Sequence, residues 1–286
     1  MKLIVGCLMW VCSSLSAATL FTYNGAETDA DERYQYVQQV LQLALEVTKE
    51  DYGEFQLVPI VQGINKGRLL RQLELGVYKN IFVRASVTDD MLERFHVIHF
   101  PIDLGTSGYR VALINQVNKH KYCGTKRLKA LHQSTIIQGI GWLDTDILTK
   151  NGFKIFPISN YDQMFDMIDR NRVDLFFRSI NEIDSEIQDR RYEFPNVIVE
   201  SCVLLHYPLP RFLITHKDNI ENAKRVEEGL IRAFKEGHFQ AIWRQHFASG
   251  LKYLQQNQRE VIELDNPYIQ NIDPQYRQYN ADILVQ

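Results

Sequence analysis

Polar side chains flank a short apolar run in the stretch NRVDLFFRSINEI. The run, Leu175–Phe177, ends at Arg178 and Ser179, where a new polar segment begins. This pattern is typical of a short buried strand whose end leaves the core. We therefore predict that Arg178 and Ser179 face a cleft, where a guanidinium and a hydroxyl can bind a small polar ligand.

A second group of candidates lies in the segment QGIGW. Gly139 and Gly141 leave backbone N–H groups free at the start of a predicted helix, which is a natural seat for an anion. A tight turn alone would explain the same two glycines. Trp142 and Tyr23, at the end of the first predicted strand, could stack on a ligand face, although aromatic side chains also fill cores.

Charged residues near these segments extend the predicted cleft. Glu182 lies just beyond the strand that ends at Ser179. Arg84 and Arg110 lie on predicted strands, from which each could reach an acidic ligand or cross a strand edge to solvent. Asp144 and Asp146 are predicted to lie on a solvated helix face.

The sequence offers no recognisable catalytic motif. The segment GTSG lacks the spacing of a nucleophile elbow, and neither an H-E-x-x-H nor a C-x-x-C motif occurs. His96 and His99 are three residues apart, so on a strand they face opposite sides and cannot share a metal ion. We therefore expect a protein that is not an enzyme and that uses neither a metal nor a cofactor.

Alternating strand and helix patterns must position these residues. The predicted strands are TLFTY, FQLVPIV, NIFVRAS, GYRVALI, STIIQG, FKIFPI, RVDLFFR and NVIVESCVLL. Helical segments separate most of them, and the predicted caps pair Thr28 with Asp31 and Ser159 with Asp162. In residues 125–205 this alternation indicates a parallel α/β sheet with covered faces.

The order of these elements predicts two lobes around a ligand cleft. Residues 19–114 form the first segment of lobe 1, and residues 115–205 form lobe 2. Residues 206–286 return to lobe 1 and end in an irregular tail. Ligands of such sheets bind outside the carboxyl ends of the strands, which places the end of RVDLFFRS at the cleft.

Composition and the N-terminal segment restrict the class further. The chain has 286 residues, 45% of them hydrophobic, and a formal net charge of -3, which suits two ordinary domains and disfavours a nucleic-acid binder. Lys2 precedes an apolar run that ends with Ser16 and Ala18, so residues 1–18 are predicted to be a cleaved signal peptide. The alternative is an N-terminal membrane anchor, for which the run is short. We expect a protein that is soluble outside the cytoplasm.

Removal of residues 1–18 would leave two cysteines, Cys123 and Cys202. In an oxidising compartment such a pair can form a disulfide, although two buried free thiols are the alternative. We expect the bond to tie lobe 2 together near its hinge.

Four stretches together resemble the periplasmic solute-binding proteins of family 3, the amino-acid-binding type, and in particular the stand-alone bacterial members. The stretches are SVTDDMLERFHVIHFPIDLGTSGYRVALI, IIQGIGWLDTDILTKNGF, YDQMFDMIDRNRVDLFFRS and VEEGLIRAFKEGHFQAIWRQHF. The resemblance covers residues 19–250 approximately. It implies an α/β, two-lobed, periplasmic-binding-protein-like (type II) fold with its ligand cleft between the lobes.

The resemblance also assigns ligand-binding roles. The arginine that holds a ligand carboxylate in the family matches Arg94, with the hydroxyl residues Ser86 and Thr88 before it. The helix of Arg94 is about two residues longer than the family pattern, so an exposed arginine is the alternative. The aspartate that binds an amino group in the family is replaced by Ser179. Since a hydroxyl cannot neutralise a buried ammonium, the cleft is not suited to a standard α-amino acid.

The expected function is therefore periplasmic binding of a small polar or anionic solute by hinge closure, for delivery to a membrane transporter. The expected partners are the small-molecule ligand and an inner-membrane permease or receptor, with no nucleic acid, and the protein is expected to be a monomer. A ligand-sensing component of a signalling receptor would use the same fold and cleft. A hydrolytic enzyme is a further alternative.

Overall fold

The computed structural model describes residues 17–25, 32–60, 66–255 and 259–281. Residues 1–16 of the predicted signal peptide and the predicted cap of Thr28 and Asp31 lie outside these ranges. None of the helices in the described ranges combines the length and apolar character that a membrane span requires.

The strands of the described residues are β1 Thr19–Asn24, β2 Phe55–Ile60, β3 Ile81–Ser86, β4 Phe95–Ile98, β5 Tyr109–Asn115, β6 Thr135–Gly139, β7 Lys154–Ile158, β8 Phe176–Ser179, β9 Val197–Val199, β10 Val203–His206, β11 Arg211–His216 and β12 Glu260–Glu263. The helices are α1 Glu32–Glu46, α2 Lys49–Tyr52, α3 Lys66–Glu74, α4 Asp89–Arg94, α5 Arg127–Gln133, α6 Leu143–Lys150, α7 Tyr161–Asp169, α8 Ile183–Arg190, α9 Ile220–Lys235 and α10 His238–Gln255. Short 3₁₀ helices span Thr106–Gly108, Gln116–Asn118 and Pro274–Tyr279.

Lobe 1 is built on a five-stranded sheet in the order β2-β1-β3-β11-β4. β1 runs parallel to β2 and β3, whereas β11 runs antiparallel to β3 and β4. The apolar face of α1 packs with α9 and α10 in one core, as its helical spacing predicts, and the side chains on that face are buried: Val37, Val40, Leu41 and Ala44. The return strand β11 is thus inserted between β3 and β4, in the sheet that the first segment of the chain begins.

Lobe 2 contains a sheet in the order β12-β10-β5-β8, with β9 also paired to β5. The sheet is mixed rather than parallel, because β5, which precedes the segment predicted to be parallel, runs antiparallel to β8, β9 and β10. Parallel pairing does link β6 to β7, and Ile136 to Leu175 just before β8. The alternation of helices and strands makes β6, β7 and β8 run in one direction. The central strand β5 enters from lobe 1 and runs in the other.

Two local predictions also differ from the structure. The predicted strand NVIVESCVLL is divided at Glu200, whose buried carboxylate accepts hydrogen bonds from the N–H groups of Cys202 (2.8 Å) and Val203 (2.7 Å). Helix α7 is capped by Asn160 rather than by Ser159, and the Asn160 side chain accepts from the N–H of Gln163 at 2.9 Å.

The lobes are joined by crossing segments that lie against each other. The chain leaves β4 for β5 through residues 99–108 and returns from β10 to β11 through residues 207–210. A Cβ atom at Gly108 would lie 2.5 Å from the carbonyl oxygen of Tyr207, so only glycine permits this approach. β5 and β12 both pair within the lobe 2 sheet. The sheet memberships therefore differ from the predicted bounds, which gave residues 109–114 and everything after 206 to lobe 1.

The C-terminal tail spans both lobes, and its described residues after β12 form turns and one 3₁₀ helix, in agreement with the predicted irregular segment. After β12 the side chain of Tyr268 packs against the core of lobe 2. Its carbonyl oxygen accepts a hydrogen bond from the N–H of Asp89 in lobe 1 at 2.8 Å. Ile272 and Tyr276 are then buried in lobe 1, where the Tyr276 ring meets Phe212 edge-on.

The structure has Cys123 and Cys202 in a disulfide, with 5.3 Å between their Cα atoms. Both residues belong to lobe 2. The expected place near the hinge is wrong: Cys202 precedes β10, and it is the far end of β10 that enters the crossing segment. Since Tyr109 pairs with His206 at that far end, the bond lies at the end of the sheet away from the hinge.

Candidate functional site

The end of β8 carries a buried guanidinium held by two carboxylates. Arg178 donates to Glu182 at 2.9 Å and to Glu186 at 2.8 Å, and its side chain is 11% exposed. The guanidinium lies 4.9 Å from the ring centre of Trp142, within cation–π range. Burial lowers the pKa of Arg178, but the two glutamates outweigh it and raise the pKa well above its ordinary value. Arg178 is therefore charged and already partnered.

Ser179 lies on the opposite face of β8, directly across from Arg110 of β5. Arg110 is 2% exposed, and it pairs with Asp144 at 2.8 Å and donates to the hydroxyl of Tyr207 at 2.9 Å. The prediction that Asp144 belongs to a solvated helix face is wrong, because its carboxylate accepts from both of these side chains. Asp146, two residues further on, is exposed as predicted.

The turn that contains Gly139 and Gly141 packs against the side chain of Trp142. The space that a Cβ atom would take at Gly139 is occupied by the indole of Trp142, and Gly141 has a positive φ of 75°. The N–H groups of Ile140 and Trp142 donate to backbone carbonyls, so these two are not available to an anion. The tight-turn alternative accounts for this geometry.

Lobe 1 contributes two arginines from neighbouring strands. Arg84 lies on β3 and Arg211 begins β11, and the antiparallel register pairs Arg84 with Leu213 and Ser86 with Arg211. The two arginines therefore project from the same face of the sheet. The Nε atoms of both are buried without a hydrogen-bond partner. Burial and the charge of Arg211 lower the pKa of Arg84 to about 10, against the raising effect of Asp103 and Glu182.

The carboxylate of Glu182 interacts electrostatically with arginines of both lobes. Burial alone would raise the pKa of its carboxyl, but four guanidinium groups outweigh it and lower the pKa to about 2; these belong to Arg178, Arg211, Arg110 and Arg84. We call these four residues the arginine cluster. Two of them come from the sheet of lobe 1 and two from the sheet of lobe 2.

Further polar atoms around this region lack partners. Asn181 donates to the hydroxyl of Thr106 in the crossing segment at 2.9 Å, yet its Oδ1 atom is buried and unbonded. The same holds for Oε1 of Gln138 at the end of β6 and for Oδ1 of Asp103 in lobe 1. Asp103 and Asn181 both bond to Ser107, so these two unsatisfied oxygens lie in one region, and buried polar groups are rarely left unsatisfied unless a ligand or water binds there.

The remaining predicted ligand residues lie apart from the arginine cluster. The side chain of Arg94 is 39% exposed and pairs with Glu74 at 3.1 Å. This agrees with the alternative interpretation of Arg94 as an exposed arginine. The hydroxyl of Thr88 donates to exposed Asp90 at 2.5 Å. Tyr23 is 6% exposed within the core of lobe 1. Ser86, which faces Arg211 across the sheet, is the member of this group nearest the cluster.

One set of possible metal ligands occurs in the described residues: Cys123, Glu200 and Cys202. The two sulfur atoms are bonded to each other and are not thiolates. Glu200 already accepts two backbone hydrogen bonds and lies 3.7 Å from Arg259. His96 lies on β4 and His99 just after it, three residues apart.

Arg211 was missed by the sequence reasoning, and Arg84 and Arg110 were left undecided between a ligand and solvent. The available signal was an arginine within or next to an apolar strand, in IFVRAS, GYRVALI and PRFLIT. A charge at such a place must be paired or bind something. Sequence does not show that three such strands end in the same region.

No protein-family model matches this chain. No curated protein matches it either. Solved structures are nevertheless similar over most of its length. A Salmonella typhimurium periplasmic binding protein with high arginine specificity has a TM-score of 0.56 at 14% identity, over 80% of this chain and 100% of the other.

Two further structures widen the comparison. One concerns glutathione import by Streptococcus mutans and has a TM-score of 0.58 at 12% identity, over 82% of this chain and 96% of the other. The other is a histidine kinase sensor domain similar to periplasmic binding proteins, with a TM-score of 0.53 at 12% identity, over 80% of this chain and 96% of the other. At these identities the similarity shows the fold alone. The prediction of a two-lobed, periplasmic-binding-protein-like α/β fold is confirmed.

Proposed function

We propose that this protein is an extracytoplasmic solute-binding protein of the family-3 type, which closes its two lobes on a small polar or anionic solute and delivers it to a membrane transporter. The observation that carries this proposal is the meeting of polar groups beyond the end of β8, where Glu182 pairs with Arg178 and the neighbouring Asn181 donates to Thr106 of the crossing segment. Arg84 and Arg211 of lobe 1 act on the same Glu182 carboxyl through space. Binding between lobes couples ligand contacts to closure, since a ligand that touches both lobes favours the closed state.

The charges of the region support a polar or anionic solute over a free α-amino acid. Ser179 is buried and offers no charge, and the carboxylates of Glu182 and Asp144 already pair with Arg178 and Arg110. An incoming ammonium would have to compete with these guanidinium groups. Arg84 and Arg211, in contrast, have no ion-pair partner among the described residues.

The proposal includes a cleaved signal peptide at residues 1–18 and a place in the periplasm. The disulfide of Cys123 and Cys202 supports an oxidising compartment, because such bonds are rare in the reducing cytoplasm. The periplasmic binding proteins among the similar structures support the same compartment. We further propose that the protein acts as a monomer.

A sensing role is the second candidate, and the histidine kinase sensor domain among the similar structures favours it. Closure on a ligand would then be transmitted to a membrane receptor instead of a permease. Deletion of the gene separates the two. Loss of solute uptake supports transport, and loss of a transcriptional response with uptake intact supports sensing.

Small-angle scattering tests solute binding itself. The protein should be measured without ligand and with organic acids, inorganic anions, amino acids, dipeptides and sugars. We expect at least one polar or anionic solute to decrease the radius of gyration, since closure brings the lobes together. If no solute changes either the scattering or the melting temperature, the proposed function is wrong.

A further inference from the structure

Two arginines of lobe 1 are placed as neighbours by the sheet itself. Arg84 and Arg211 lie on adjacent antiparallel strands, two residues apart in register and on the same face. Such diagonal neighbours are about 7–8 Å apart at the backbone, within reach of long side chains. Their guanidinium groups can therefore approach one common atom group from two sides.

This pair differs from the other arginines of the cluster. Arg110 has Asp144 and Tyr207 as partners, and Arg178 has Glu182 and Glu186. Among the described residues no ion pair or hydrogen bond satisfies Arg84 or Arg211, and the Nε atom of each is buried. Two like charges side by side, partly removed from water and unpaired, are unfavourable unless an anion joins them.

The acidic groups nearby do not fill this role. Asp103 is buried, but its Oδ2 atom accepts from the N–H of Ser107 at 3.2 Å, and no ion pair joins it to Arg84. Glu182 acts on Arg84 and Arg211 through space, while its carboxylate is bound to Arg178 at 2.9 Å. The pair therefore keeps donors that these acidic groups do not bind, within electrostatic range of Glu182 of lobe 2.

We propose that Arg84 and Arg211 together form the receptor for an oxyanion group of the solute, a carboxylate, phosphate or sulfate that accepts hydrogen bonds from both guanidinium groups. This assignment rests on the proposed function and adds its substrate class. Guanidinium groups match planar and tetrahedral oxyanions in paired geometry, and these charge-assisted hydrogen bonds are among the strongest in proteins.

The proposed receptor can be tested with substitutions that each remove one positive charge. Wild type, Arg84→Gln, Arg211→Gln and the control Arg94→Gln are titrated with phosphate, sulfate and succinate, with chloride at equal ionic strength as reference. Melting temperature and calorimetry are the measurements. We expect one or more of these anions to stabilise wild type and Arg94→Gln, and to bind Arg84→Gln and Arg211→Gln about tenfold to a hundredfold more weakly. The anion that acts identifies the class of oxyanion.

A measurement on wild type alone covers the case in which a variant does not fold. Phenylglyoxal modifies arginines, and mass spectrometry reports the rate at each position. The effective anion should slow modification of Arg84 and Arg211 while Arg94, which is exposed, reacts at an unchanged rate.

Two outcomes would contradict the proposal that Arg84 and Arg211 form an oxyanion receptor. In the first, none of the three anions stabilises wild type more than chloride does. In the second, an anion binds but both glutamine variants bind it as wild type does and no protection of Arg84 or Arg211 is seen. If a neutral amide or sugar closes the lobes in these circumstances, the proposed function stands and the receptor alone is wrong.

Discussion

At the scale of single residues, the four members of the arginine cluster differ in whether a carboxylate neutralises their charge. Arg110 and Arg178 have carboxylate partners within lobe 2, so the charges of both are compensated. Arg84 and Arg211 have no such partner in the part of the chain that the structure describes. The same residue type thus serves structure in one lobe and, we propose, recognition in the other.

The pair of Arg110 and Asp144 gives a prediction with an internal control. Asp144→Asn leaves the buried guanidinium of Arg110 with the Tyr207 hydroxyl but without a counter-charge, and loss of one partner of a buried ion pair costs about 3 kcal/mol. Asp146→Asn, on an exposed residue of the same helix, should change the free energy of unfolding by less than about 0.5 kcal/mol. Urea unfolding of both variants measures this. Equal effects would show that Asp144 is not structurally engaged.

Glu182 predicts an acid-sensitive contribution to stability. Its pKa in the folded protein is about 2, below its ordinary value of 4.5, so the ionised form is favoured by folding. This contribution is fully present above pH 4.5 and is lost as the pH falls toward 2, by an amount on the order of 2 kcal/mol. In Glu182→Gln the free energy of unfolding should fall less steeply over that range. Exposed Glu193→Gln is the control and should follow wild type. A Glu182→Gln curve parallel to wild type would contradict the assignment.

At the scale of elements, the disulfide closes a loop across lobe 2, with a sequence separation of 79 between its cysteines. A cross-link of this length stabilises mainly by restricting the unfolded chain, typically by about 2–4 kcal/mol. Cys123→Ser with Cys202→Ser should therefore lower the free energy of unfolding by that amount. The test uses a chain that begins at Thr19, which carries no other cysteine.

Thiol labelling provides the check on this prediction. The denatured, unreduced wild-type chain should show no reactive thiol, and reduction should lower the urea midpoint to that of the serine variant. Two reactive thiols per chain before reduction, or a midpoint that reduction leaves unchanged, would contradict it.

Most elements could be predicted from the sequence because their signals are local. The helical face of α1 and the apolar runs of β3, β5 and β8 follow from periodicity. The antiparallel position of β5 in the lobe 2 sheet could not be predicted, because it depends on how the chain enters from the other lobe. Of the candidate site, the sequence predicted a polar strand end at Arg178 and Ser179, which lie on opposite faces of β8. The clustering of Arg84, Arg110 and Arg211 was not predicted, since it arises from strands far apart in sequence.

At the scale of the whole molecule, the tail is the element that bears on closure. Residues 264–281 follow β12, which belongs to the lobe 2 sheet, and end against lobe 1. Asn266 donates to the carbonyl oxygen of Pro208 in a crossing segment at 2.8 Å. Any large opening of the cleft must therefore stretch or release this connection.

Loosening the lobe 1 end of the tail should widen the ligand-free protein. Ile272 and Tyr276 are 5% and 4% exposed, and replacing both by alanine removes buried apolar contacts worth several kcal/mol, roughly 2–5 for each large side chain. We expect a larger radius of gyration without ligand and faster hydrogen exchange after residue 268. Gln278→Ala, on an exposed residue of the same tail, is the control and should leave both unchanged. If exchange increases in the double variant while the radius of gyration stays at the wild-type value, the tail is anchored but does not restrain the lobes, and the crossing segments at Gly108 and Tyr207 set the range of opening.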